Sequence, residues 1–330
     1  MDGSHWTWCR GAASGVCFTY GYRPPLPPPE AHDVPRSALI AVPLPSLFSA
    51  ALYAALAIVI GAGGIKWLLL PRSGLTVSER APVERAAAGA AMLASVAILL
   101  AVPARVALQL GDLLKPGEPW QSALSAILFS TQSGKAAQLQ MVWAIATLLA
   151  FSVARAGRIR GWRAASVAVV VLAMTPGLGG HPASAARPIL AMTVATMHVL
   201  AAGLWMGTLF HLWRVSRAGN EHATQRLVTV FHRVALSAAG VLVLSGIYAS
   251  WTTLGGLGNL FSTAWGGLLA TKLGILLIIV AFGVWQWRTA DARRASGDRA
   301  RFAHGVGTQL LLALAVIAVT GFLAGTAPPE

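Results

Sequence analysis

A histidine stands in the middle of an apolar run. The stretch "TMHVLAAGLWMGTLFHLW", Thr196 to Trp213, is hydrophobic enough for hydrocarbon, yet it carries His198 with Met197 beside it and Met206 further along. An ionisable ring at that depth is costly and usually marks a site. Counted from residue 187, His198 is eleven residues into its span, about 16 Å deep at about 1.5 Å rise per residue. On an uninterrupted helix Trp205 falls nearly on the His198 face, Met197 about 100° away and Met206 within about 80°, with Met192 on the Met206 face. Four of the seven methionines, Met174, Met192, Met197 and Met206, fall between residues 174 and 206, together with His181 of "GLGGHP". Thioether and imidazole donors favour soft or borderline metals, copper(I) above all. Neither ligand need carry charge, which suits a site inside lipid.

Spacing alone leaves three readings open. The first is a metal site. The second is packing: methionine is a common core filler, and a buried histidine often only hydrogen-bonds a neighbouring helix. The third is haem, with His198 and His211 as axial ligands thirteen residues apart. Thirteen residues leave those two rings about 140° apart on one helix. His211, beside Trp213 and Arg214, also reads as an interfacial residue. Arg105 and Lys272 are cations just inside the outer ends of their spans. Each either snorkels to the interface or supplies a fixed charge to a cavity.

The elements that must position these residues are membrane helices. The 330-residue chain is 56% hydrophobic and 11% charged, with a mean hydropathy of +0.65. Soluble domains carry about 25% charged residues, so the fold class is all-α, a polytopic membrane bundle. Eight apolar runs can cross a bilayer: 46–70, 86–110, 135–154, 163–179, 187–213, 228–252, 266–287 and 303–325. The piece 119–131 is too short to span and is expected at the interface. The net charge of +14 does not indicate nucleic acid, because the basic residues form short clusters between apolar runs rather than one basic face. Arg72, Arg80 and Arg85, then Arg155 to Arg163, Arg214 to Arg226 and Arg288 to Arg301 mark one side. By the positive-inside rule that side is cytoplasmic, which places both termini outside, with the loops of Asp112 and His181.

Residues 1–43 read as a disordered, Pro-rich tail, "YRPPLPPPEAHDVPR" being unable to form a core. Cys9 and Cys17 in it fit no zinc or redox motif. "FSTQSG" at 129–134 recurs as "FSTAWG" at 261–266. That offset suggests a four-plus-four parallel repeat, with membrane halves at 44–180 and 181–330. The chain shows no phosphate-cradling glycine loop, no HExxH and no nucleophile elbow, and no enzyme activity is expected of it.

"MHVLAAGLWMGTLFHL" resembles the H-L-L-A-A-A-x-W-x-G-G helix of the copper resistance protein D family. "FHRVALSAAGVLVLSGIYASW" and "TAWGGLLATKLGILL" are similar to its R-x-A-L…L-x-x-T-G span and T-x-x-G-x-x-L-x-x-K helix, "GHPASA" to its G-H-A loop, and "GTAPP" to its ending. The likeness is close over 181–329 and general over 46–180. It implies a multi-pass protein of the bacterial inner membrane for copper uptake and handling, working with a separate periplasmic copper-binding partner. By matching positions it carries over His181, His198, Trp205, Gly207 and Lys272, with Thr208 replacing the motif's second glycine. The site expected is therefore a copper path through His181, Met192, Met197, His198 and Met206, flanked by Trp205, Gly207, Lys272 and Arg105. Its competitors are a haem protein using His198 and His211, and a scaffold that delivers copper to another membrane enzyme.

Overall fold

The computed structural model describes residues 6–9, 17–20, 44–114, 117, 119–256, 258–288 and 299–326. Trp6–Cys9 (β1) and Cys17–Tyr20 (β2) form an antiparallel ribbon, a compact unit of its own within residues 1–41, in which Cys9 faces Cys17 across the register. The ribbon falls within residues 1–43, read above as a disordered tail; the Pro-rich stretch lies outside the described residues. The second unit, from Val42 on, is a helix bundle.

Its helices are α1 Leu44–Gly64, α2 Val77–Leu113, the short α3 Trp120–Ser125, α4 Gln132–Arg155, α5 Ile159–Leu178, α6 Pro188–Ala202, α7 Thr208–Arg217, α8 Glu221–Leu254, the short α9 Asn259–Ser262, α10 Ala264–Arg288 and α11 Arg299–Gly325. Joined where continuous, they give eight helices long and apolar enough to cross a membrane, matching the eight expected runs. Inside lipid every backbone polar group must be satisfied within the helix. Span hydroxyls therefore fold back on the preceding turn, as Ser95 does on the Ala91 carbonyl and Thr147 on that of Trp143.

Among the described residues, three helices contain one π-helical turn each: Ile65–Leu69 after α1, Ala126–Ser130 after α3 and Gly203–Gly207 between α6 and α7. A π turn holds one extra residue, so every side chain beyond it is rotated relative to an unbroken helix.

Helix α1 is the hub. It packs on α2, α11 and the Gly203–Gly207 turn, and 61% of its most apolar window is buried, against 11% for α10. The main core gathers apolar residues of α1, α2, α4, α5, α7 and α8 around Ile65, Ile98, Phe151 and Trp162. The repeated hexapeptides take the same local form. Thr131 Oγ1 accepts from Gly134 N at 2.9 Å and donates to the Ile127 carbonyl at 2.6 Å; Thr263 Oγ1 accepts from Gly266 N at 3.0 Å and donates to the Asn259 carbonyl at 2.7 Å. In both, only glycine fits. A Cβ on Gly134 would stand 2.0 Å from the Ile127 oxygen, and one on Gly266 2.0 Å from the Asn259 oxygen.

Candidate functional site

His198 lies in α6, which packs on α8 and α5. Its Nδ1 is 2.9 Å from Ser245 Oγ of α8. A serine has one proton to give, and Ser245 spends it on the Val241 carbonyl at 2.6 Å. With the hydroxyl proton on Val241, His198 Nδ1 donates to Ser245 and its Nε2 keeps a free lone pair. A second-shell hydrogen bond of this kind fixes the tautomer and aim of metal-binding histidines. Gly246 leaves room beside the ring: a Cβ there would come 3.8 Å from His198 Cε1. Lys272 is half-buried on α10.

The other candidates are dispersed. Met192 helps to line a cavity of about 270 Å³ with Gln132, Lys135, Ala136, Leu139, Leu178 and Ala183. His181 opens the 3₁₀ turn His181–Ser184 that supplies Ala183; its side chain lies outside what the structure describes. Met197 is 49% exposed and faces away from the bundle core. Met206 is 8% exposed and packs with Ala57 of α1 and Ala313 of α11, with Trp205 against the same cluster. The π turn between His198 and Met206 rotates Met206 away from the face that an unbroken helix would give it. Arg105 is half-buried on α2. Among the described residues no group of three or more His, Cys, Asp or Glu side chains converges on a metal-sized site.

His211 is not the interfacial residue its neighbours suggested. It is 2% exposed, and its Nε2 donates to the Ile58 carbonyl of α1 at 3.0 Å. Beyond the π turn the helix faces α1, whereas His198 faces α8, so the two rings belong to different helix pairs.

The close approach of α1 needs glycine on both sides. A Cβ on Gly207 would lie 1.8 Å from the Ala57 oxygen, and one on Gly61 2.1 Å from the Gly207 carbonyl carbon. Gly207 is thus a packing residue, the contact of small residues by which membrane helices associate.

Two features escaped the sequence reading. One is Ser245, within "VLSGIY"; a search for a hydrogen-bond partner to a buried histidine could have found it. The other is the Lys66–Glu84 ion pair at 2.7 Å between α1's π turn and α2, both side chains largely buried. The Lys66 ammonium also stands 5.7 Å from the centre of the Trp162 ring, and Trp162 Nε1 is buried without a hydrogen-bond partner.

Residues 45–188 match the family profile described as copper resistance protein D-like, N-terminal domain, and residues 225–323 match copper resistance protein D. The chain is 26% identical over 231 residues, 65% of its length, to a protein named copper transport protein CutJ from Bacillus subtilis (strain 168). It spans only 41% of that relative's length. No solved structure matches. With an eight-span all-α bundle and both matched segments falling in order along it, the chain belongs to the copper resistance protein D family.

Proposed function

We propose that this protein moves copper inward across the bacterial cytoplasmic membrane as part of copper homeostasis and resistance. The relative's printed name, a copper transport protein, supports the cargo. The observation that carries the residue-level reading is the 2.9 Å contact of His198 Nδ1 with Ser245 Oγ. With Nδ1–H held by Ser245, Nε2 presents a lone pair within the membrane. Copper meets the cavity beside His181, touches Met192 at its wall and passes to His198; Met197, facing away from the core, and Met206, packed on Ala57 and Ala313, are left off this path. This is ligand exchange and involves no bond-making chemistry, so the protein is no enzyme. The basic loops face the cytoplasm, and a separate periplasmic copper-binding protein delivers the ion.

Uptake into liposomes, with copper(I) and copper(II) compared, tests the reading. In His198→Leu the Ser245 hydroxyl keeps its Val241 carbonyl, so the loss is one net hydrogen bond of about 0.5–1.5 kcal/mol. Copper uptake should fall to background while membrane abundance stays normal. Unchanged uptake per folded molecule would refute the path. Binding without flux would support the copper-delivering scaffold. A haem absorption band in the purified protein would favour the cytochrome, a reading weakened by the commitment of His211 to Ile58.

A further inference from the structure

The chain's two cysteines are brought together by a strand register and not by a motif. Cys9 and Cys17 stand eight residues apart, a spacing that fits no zinc or redox motif. In the ribbon, Cys9 ends β1, Cys17 begins β2, and the register sets the two directly opposite each other.

Successive residues of a strand alternate between the two faces. Trp6 is opposite Tyr20, Thr7 opposite Thr19 and Trp8 opposite Phe18. One face of the ribbon therefore carries Trp6, Trp8, Phe18 and Tyr20, and the other Thr7, Cys9, Cys17 and Thr19. Aromatic cross-strand pairs stabilise a sheet, and a slip of one residue would put the faces of the two strands out of step. The aromatic pairs thus specify the register that opposes the cysteines.

A lone two-stranded ribbon is marginal in water, and small units of this kind gain stability from a disulfide or a metal. Spacing separates the two. Directly opposed residues have Cβ atoms roughly 4.5–5.5 Å apart, whereas a disulfide draws its Cβ atoms to about 3.8 Å. A metal ion between two sulfurs fits the wider gap without pulling the strands together. Thiolates select soft metals. Zinc asks for four ligands, while copper(I) is satisfied by two, and copper is the metal named in both family profiles that the chain matches.

We propose that Cys9 and Cys17 form a copper(I) site, one ion bridging the two thiolates across the ribbon, with the thiol protons released on binding. The inference rests on copper as what this protein handles and is independent of the path through His198. It makes the N-terminal unit a capture site whose donors are softer than any imidazole or thioether in the bundle.

The test uses full-length protein in nanodiscs, reduced and kept anaerobic, and titrated with copper(I) against a chromogenic copper(I) chelator. Thiols left free are then alkylated, and the Cys9 and Cys17 peptides are read by mass spectrometry. The wild type should bind one copper more per chain than Cys9→Ser/Cys17→Ser, and copper(I) should protect both cysteines from alkylation. Adding Thr7→Cys and Thr19→Cys to Cys9→Ser/Cys17→Ser moves the thiols to the next opposed pair on the same face and should restore the extra ion. Cys17→Ser/Phe18→Cys keeps two thiols but sets them on opposite faces, and should not. Equal copper in the wild type and Cys9→Ser/Cys17→Ser, absence of protection, full binding by Cys17→Ser/Phe18→Cys, or a Cys9–Cys17 disulfide that persists in the reduced protein overturns the proposal. His198→Leu should keep both the extra ion and the protection, so the ribbon site and the path through the bundle fail separately. If the wild type binds no copper(I) at all, the copper reading fails, and this inference with it.

Discussion

Gly207→Ala puts one methyl group into the tightest contact in the bundle. The added Cβ would lie 1.8 Å from the Ala57 oxygen, 2.7 Å from the Ala57 carbonyl carbon and 2.9 Å from Gly61 Cα. Non-bonded heavy atoms rest roughly 3.5 Å apart, so α1 and the π turn must separate by about 1.5–2 Å. All three obstructing atoms are backbone, so no rotamer change can relieve the clash. Overpacking a close-packed interior costs about 1–3 kcal/mol and occasionally more; the backbone collision argues for the upper end. One turn on, the His211–Ile58 hydrogen bond spans the same interface, and stretching it adds about 1 kcal/mol. The expected loss is about 3–4 kcal/mol. Reversible unfolding in mixed micelles measures it. Gly63→Ala is the control, because a Cβ there meets nothing within 4 Å, and glycine to alanine in a helix favours the fold by up to about 1 kcal/mol. Equal stability of Gly207→Ala and Gly63→Ala would refute the packing argument.

Lys66→Met should destabilise the protein by leaving the Glu84 charge uncompensated, by less than the roughly 3–5 kcal/mol of a fully buried pair. The double variant Lys66→Met/Glu84→Gln should recover part of that loss, as a double-mutant cycle on thermal unfolding would read. Thr131→Ala and Thr263→Ala should each cost about 1 kcal/mol through the lost N-cap. Their effects should add, since the two caps serve different helices; strong non-additivity in the same unfolding assay would show that the two repeats are coupled.

What the sequence displayed was whatever depends on length and composition. All eight spans were readable because an apolar run of about 20 residues has few other uses. The repeated hexapeptide was readable because a Thr cap and a Gly against a carbonyl demand those residues in that order. The π turns were not, since one extra residue per turn leaves no mark in composition; this is why Met206 sits against Ala57 and Ala313 instead of beside His198. His211 was misjudged from its neighbours Trp213 and Arg214, although the carbonyl it bonds lies in α1, 153 residues away. Glu84 fell just outside the expected span 86–110, and Lys66 inside 46–70. Neither showed that the chain would bring them together.

The π turn at Gly203–Gly207 also explains how one helix serves two purposes. Before it, α6 runs against α8 and α5, with Ala191 and Ala201 its buried residues. After it, α7 is fixed to α1 through Gly61, Gly207 and the His211–Ile58 bond. An unbroken helix would carry its faces through without a change of register. The extra residue instead allows His198 to face α8 while Gly207 faces α1. The ligand-exchange site proposed at His198 must be held in position and still admit and release an ion. The anchored stretch meets the first demand and the stretch before the turn the second, and the boundary between them falls within the motif that contains His198, Trp205 and Gly207.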